Sequence, residues 1–121
     1  MPLVRIDALP THDDATLAAL GDAVHQALTE TLGFPDDDLF QVISSAGQVR
    51  YSTYPGIPRD DGVVFTMRAG RTYAEKKALY AAIAELAAER AGIEPRNVLI
   101  TVTENQPVDW SFGEGVAQYL E

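Results

Sequence analysis

One layout occurs twice in this chain, and it limits the fold more than any single residue does. The first half reads PLVRIDAL, then THDDATLAALGDAVHQALTETLG, then FPDDDLFQVIS. The second reads GVVFTM, then a helical stretch from Thr72 to Gly92, then IEPRNVLITVT. In residues 2–9, Leu3, Arg5 and Asp7 alternate with Val4, Ile6 and Ala8, the period of a half-buried strand. Leu17, Leu20, Val24, Leu28 and Leu32 recur at spacings of three and four, which predicts an amphipathic helix. Thr11, Asp13 and Asp14 offer oxygens and negative charge at its start, and Gly33 suits its end. LFQVIS reads as the strand that follows.

The second half repeats the plan. GVVFTM is strand-like, and Thr72 with Glu75 spells the T-x-x-E capping box of a new helix. Leu79, Ile83 and Leu86 form its buried stripe, with Tyr80 and Ala87 expected on the flank. Gly92 ends it and VLITVT closes the unit. A helix between two such strands makes each half a βαβ unit, because parallel strands need a long crossover. The expected fold is α/β (α+β), with two consecutive β-α-β units forming a four-stranded sheet and two helices on one face. The whole chain, 1–121, reads as a single domain with pseudo-repeats over about 2–45 and 62–104 and a tail over 105–121. The Gly-, Pro- and Ser-rich joint SSAGQVRYSTYPGIPRDD has room for one short strand, QVRYST, and the tail for a last hairpin or helical turn. Apolar residues point to both faces of the closing strands, as in Val98, Leu99 and Ile100, yet no third helix is available as a cover. Self-association is the expected solution.

Composition narrows the partners. With 18 acidic against 9 basic residues and a net charge of −9, the chain lacks the basic footprint of nucleic-acid or anionic-membrane binding. It has no Cys, which excludes disulfide and thiolate chemistry. No run approaches the roughly 18 apolar residues of a membrane span, and the start lacks a secretory pattern, so a cytoplasmic protein is expected.

Pro2 is the first residue of chemical interest. Proline is tolerated at the head of a strand, where its missing N–H is not needed. If Met1 is removed, however, Pro2 becomes a free secondary amine able to act as acid, base or nucleophile. If Met1 stays, that nitrogen is an amide, and a non-catalytic metabolite-binding module becomes the natural reading. Arg68 and Arg71 precede the second helix, where a cation opposes the helix dipole; two guanidinium forks there can hold a carboxylate. The plain alternative is that one pairs with a nearby acid and the other is solvated. Asp36, Asp37 and Asp38 follow Pro35 and read first as a solvated turn, although one could orient water or a carbonyl. His12 and His25 supply no metal-ligand spacing, and His25 flanks the first helix's apolar stripe. In DWSFGEG, Trp110 and Phe112 can anchor the tail or wall a small pocket.

Pro2 heading a strand, the duplicated βαβ layout, the arginines before the second helix and the tail N-x-x-x-D-W-S-F-G together resemble the tautomerase superfamily. The malonate semialdehyde decarboxylase group is the most similar, with the cis-3-chloroacrylic acid dehalogenase group beside it. The resemblance implies a MIF-like homotrimer without metal or organic cofactor, acting on a small carboxylate substrate through Pro2. It further implies that Asp38 orients water or a carbonyl, with Asp37 one register away. Arg71 corresponds to the second carboxylate-binding arginine of the decarboxylases. Their first arginine falls where this chain has Ala69, and Arg68 instead gives the R-x-x-R spacing of the dehalogenases, whose helix-one histidine lies near His25. Trp110 and Phe112 match the decarboxylases' hydrophobic wall. The activity implied is decarboxylation of a 3-oxo acid such as malonate semialdehyde, or keto–enol tautomerisation. Hydration or dehalogenation of a 3-haloacrylate-type acid is the alternative.

Overall fold

The computed structural model describes residues 2–45, 47, 63–67 and 70–120, with 63–67 described by backbone alone. The strand expected within QVRYST lies outside the described residues. β1 (Val4–Ala8) is followed by α1 (Asp14–Leu32) and β2 (Gln41–Ser45), then β3 (Val63–Met67), α2 (Tyr73–Ala91) and β4 (Val98–Val102). The sheet order is β2-β1-β3-β4. Each half pairs its own strands in parallel, β1 with β2 and β3 with β4, and the halves join through antiparallel β1 and β3. This is the duplicated βαβ arrangement predicted from the repeated layout.

The helix ends form for local reasons. The Asp13 carboxylate caps α1 by accepting from the Thr16 amide at 2.8 Å, so Asp13, rather than Thr11 or Asp14, is the N-cap. Gly33 and Gly92 close the two helices in left-handed backbone, with φ of 72° and 68°. Thr72 and Glu75 complete the reciprocal capping box at the start of α2.

Both helices cover one face of the sheet. Val4 and Ile6 point into a core shared with Leu20, Val24 and Leu28 of α1 and Leu79, Ile83 and Leu86 of α2, all at or below 9% exposure. Ala87, expected at the flank of the α2 stripe, is fully buried. It joins the same core cluster as that stripe. Gly21 lets α1 approach the sheet: a Cβ there would lie 2.7 Å from both Gln41 Oε1 and Ile43 Cδ1 of β2.

The opposite sheet face is uncovered in the single chain. Leu3, at the head of β1, and Val42 of β2 are 44% and 52% exposed, and Arg5 and Thr101 are exposed as well. The second strand starts at Gln41 rather than at Leu39, although the Phe40 carbonyl already bonds to β1. The tail folds as two 3-10 turns, Pro107–Asp109 and Gln118–Leu120, rather than a hairpin. Among the described residues, no helix is long and apolar enough to cross a membrane.

Candidate active site

The heads of β1 and β2 bring the N-terminal proline to the aspartate turn. The Val4 amide donates to the Phe40 carbonyl at 2.9 Å, just ahead of the Val4–Gln41 register pair. Two residues upstream of the donor is Pro2, and two upstream of the acceptor is Asp38. Pro2 is among the fully buried side chains. Asp38 closes a turn by donating its amide to the Pro35 carbonyl at 3.0 Å. Its Oδ1 is buried and has no hydrogen-bond partner among the described residues. A buried acceptor left open is costly in a purely structural turn, so among the described residues Asp38 is the acid of this turn with a hydrogen-bonding position to offer. Asp36 and Asp37 are exposed, which separates Asp38 from its two neighbours.

His25 braces this turn from α1. Its Nε2 lies 2.8 Å from the Asp36 carbonyl, and the ring is half-buried. His25 therefore touches the aspartate turn through backbone.

Arg71 approaches from the other half of the chain. It immediately precedes the N-cap Thr72, and its guanidinium carbon lies 4.9 Å from the centroid of the Phe34 ring. Phe34 is buried and begins the segment that leads through Pro35 to Asp38. The cation thus lies over an aromatic face at the head of the segment that forms the aspartate turn. Its Nη1 stands 3.7 Å from Glu75 Oε2, an i,i+4 pair across the first turn of α2. At that distance the pair leaves the guanidinium N–H groups available to a carboxylate. Arg68 lies outside the described residues.

The tail supplies an aromatic cluster. Trp110 and Phe112 stack with centroids 5.4 Å apart, and Tyr119 meets both edge-on. Phe112 also reaches Phe40, centroid to centroid 6.4 Å, which attaches the cluster to the head of β2. The Trp110 indole N–H donates to Asn105 Oδ1 at 2.9 Å. Gln118 closes the loop, accepting from the Phe112 amide at 2.9 Å and donating to the Gly113 carbonyl at 3.0 Å. Lys76 of α2 pairs with Glu104, tying the helix that follows Arg71 to the start of the tail.

Pro2, Asp38, His25 and Arg71 thus converge on one end of the sheet, with Trp110 and Phe112 joined to it through Phe40. Phe34 and Phe40 were not singled out from the sequence. Two aromatics bracketing a P-D-D-D turn were the available signal, but their contacts with Arg71 and Phe112 depend on long-range packing. Among the described residues, no group of three or more His, Asp or Glu side chains is placed to hold a metal ion.

Two family models, each described as tautomerase enzyme, match the chain, one over residues 2–45 and the other over 40–113. The chain belongs to the tautomerase family. The probable tautomerase YusQ of Bacillus subtilis is 35% identical over 127 residues, covering all of both chains. Among solved structures, malonate semialdehyde decarboxylase, described with decarboxylase and hydratase activities, is 30% identical with a TM-score of 0.87 over 98% of this chain and 95% of its own. A structure of malonate semialdehyde decarboxylase inhibited by 3-bromopropiolate is 37% identical with a TM-score of 0.88 over 98% and 94%. The antiparallel junction of two βαβ units described above is thus the tautomerase fold, and this tautomerase carries Pro2 at the head of its first strand.

Proposed function

We propose that this tautomerase-family protein uses the Pro2 amine, freed by removal of Met1, to act on a small keto or unsaturated carboxylic acid. Decarboxylation of a 3-oxo acid such as malonate semialdehyde is the leading reaction, with keto–enol tautomerisation on the same groups. The observation that carries this reading is the buried Oδ1 of Asp38, without a hydrogen-bond partner among the described residues, two residues before the Phe40 carbonyl that receives the Val4 amide. An open acceptor there suits a carbonyl hydrate, a water or the Pro2 ammonium.

The chemistry follows from charge. Arg71, with Arg68, binds the substrate carboxylate through charge-assisted forks. With Pro2 protonated, its N–H is directed at the substrate carbonyl oxygen. As the bond to the carboxylate carbon breaks, CO2 leaves and the electron pair moves into an enolate, whose oxygen the ammonium stabilises. Protonation at carbon then releases the aldehyde. With Pro2 neutral, the same amine takes a proton from carbon and returns it to oxygen, which is tautomerisation. Trp110 and Phe112 act as the apolar wall, strengthening these interactions by excluding water.

A second reading, addition of water to a 3-haloacrylate-type acid, is favoured by the Arg68-x-x-Arg71 spacing and by the position of His25 against the aspartate turn. Here Asp38 would orient the attacking water. We further propose that three copies assemble through the uncovered sheet face, where Leu3 and Val42 are exposed. The protein then works as a single-domain homotrimer.

The deciding experiment is a pH–rate profile on malonate semialdehyde, phenylenolpyruvate and 3-chloroacrylate, with Pro2→Ala as control and intact-mass measurement to establish removal of Met1. A profile limited by the amine and abolished in Pro2→Ala is expected. Unchanged rates in that variant would overturn the reading.

A further inference from the structure

Glu75 meets Arg71 with a carboxylate whose two oxygens are already divided between tasks. Oε1 accepts from the Thr72 amide at 3.1 Å and from the Thr72 hydroxyl at 3.0 Å. Oε2 is turned to the Arg71 guanidinium, 3.7 Å from Nη1. The Thr72 hydroxyl in turn accepts from the Glu75 amide at 3.2 Å, so the side chain is fixed at both ends of the capping box. The cap that starts α2 therefore also sets a fixed negative charge beside the cation.

Neighbouring groups leave that charge in place. Lys76, the next residue, is paired with Glu104 and only 18% exposed. The Thr72 hydrogen bonds hold the Glu75 carboxyl below the ordinary glutamate range, so it is ionised at neutral pH. The buried Phe34 ring beneath the Arg71 guanidinium favours this position of the cation. An anion that takes the outer N–H groups of Arg71 must accept the field of Glu75 a few ångströms further on.

We infer that Glu75 is a specificity-determining residue that sets the charge of the acid taken at Arg71, favouring acids with one carboxylate over those with two. This rests on the proposed role of Arg71 as the carboxylate-binding cation. One carboxylate bound at Arg71 faces a guanidinium only partly offset by Glu75. A second carboxylate on the same small molecule adds repulsion from Glu75 and from the Asp38 turn. Both pair members are about one-third exposed, so solvent screens the effect and a several-fold preference is its natural size.

The test is a set of NMR titrations at neutral pH, with propionate as the monoanion and malonate as the dianion. The measured quantity is the ratio of the malonate to the propionate dissociation constant. In Glu75→Gln, which keeps a capping-box side chain but not the charge, this ratio should fall about three- to tenfold. Glu75→Ala, neutral but without the cap, should shift the ratio equally while melting at a lower temperature. A ratio that stays at the wild-type value in both variants, while Arg71→Ala weakens binding of both anions, would overturn the inference and leave the carboxylate-binding reading standing. Unchanged binding of both anions in Arg71→Ala would overturn that reading and the inference with it. A ratio that moves in Glu75→Ala but not in Glu75→Gln would assign the effect to the cap rather than the charge, and would also overturn it.

Discussion

The guanidinium of Arg71 lies over the ring of Phe34, 4.9 Å from its centroid, joining the start of α2 to the aspartate turn. The two residues come from different βαβ units, so this contact places a cation from one half on the segment that leads to the aspartate turn of the other. Arg71→Ala should lower kcat/KM on a keto or unsaturated acid by about 2–4 kcal/mol of transition-state stabilisation. Phe34→Leu keeps apolar volume but removes the π face. It should raise KM several-fold with little change in kcat, since the cation–π contact is worth about 0.5–2 kcal/mol. Steady-state kinetics on both variants check the pair.

Gly21 sits inside α1, where helix propensity favours replacement by Ala by about 1 kcal/mol. The packing offsets that gain, because two side-chain tips of β2 must turn aside. A methyl group would press within 2.7 Å of Gln41 Oε1 and Ile43 Cδ1, and Gln41 Nε2 already donates to the Gly21 carbonyl at 2.8 Å. Gly21→Ala should therefore change stability by less than about 1 kcal/mol, the propensity gain being offset by turning the two tips aside. Urea denaturation measures it, and a loss of more than about 2 kcal/mol would mean that the Gln41 and Ile43 side chains cannot turn aside.

Two helix caps carry a pH signature. Hydrogen bonds from Thr16 hold Asp13 below the ordinary aspartate value, and those from Thr72 hold Glu75 below the ordinary glutamate value. A depressed folded-state pKa means that the unfolded chain binds the proton more tightly. The stabilisation is thus complete above the unfolded values of about 4–4.5 and is lost as pH falls through the lower folded values. Thermal melts from pH 6 down to pH 3 should fall less steeply in Asp13→Asn and Glu75→Gln than in the parent chain.

The tail reports on itself, because Trp110 is the chain's only tryptophan. Gln118 bonds both the Phe112 amide and the Gly113 carbonyl, fixing the turn on which Tyr119 meets Trp110 and Phe112. Gln118→Ala should shift tryptophan emission to longer wavelength and lower stability by about 0.5–1.5 kcal/mol. An unchanged emission maximum would show the aromatic contacts to be sufficient alone.

The uncovered sheet face gives a prediction about assembly. Val42 pairs with Arg5 in the β1–β2 register, and Leu3 heads the same face. Val42→Glu should place a charge in the proposed contact between copies and reduce the particle mass. Light scattering at micromolar concentration should give three chain masses for the parent protein and a smaller value for the variant.

The elements of this protein were decided locally, and the sequence determined them. Alternation in VRIDA, the three-and-four spacing from Leu20 to Leu32, the Thr72–Glu75 box and the two closing glycines each act over a turn or less. Period and capping chemistry therefore specify them without knowledge of the rest of the chain. The same holds for the candidate residues as types: a proline at a strand head, an arginine before an N-cap and a tryptophan beside a phenylalanine are visible in one dimension. What meets what was decided only in the tertiary structure. Asp38 is distinguished from Asp36 and Asp37 by burial of one oxygen, which depends on how the turn seats against β1. Phe34 under Arg71 and Phe40 against Phe112 join segments far apart in sequence, and no period encodes such pairs. The physical reason is range: hydrogen-bond caps and hydrophobic periods are satisfied within one element, whereas a site is built from contacts that exist only after α1 and α2 have packed on one face of a single sheet.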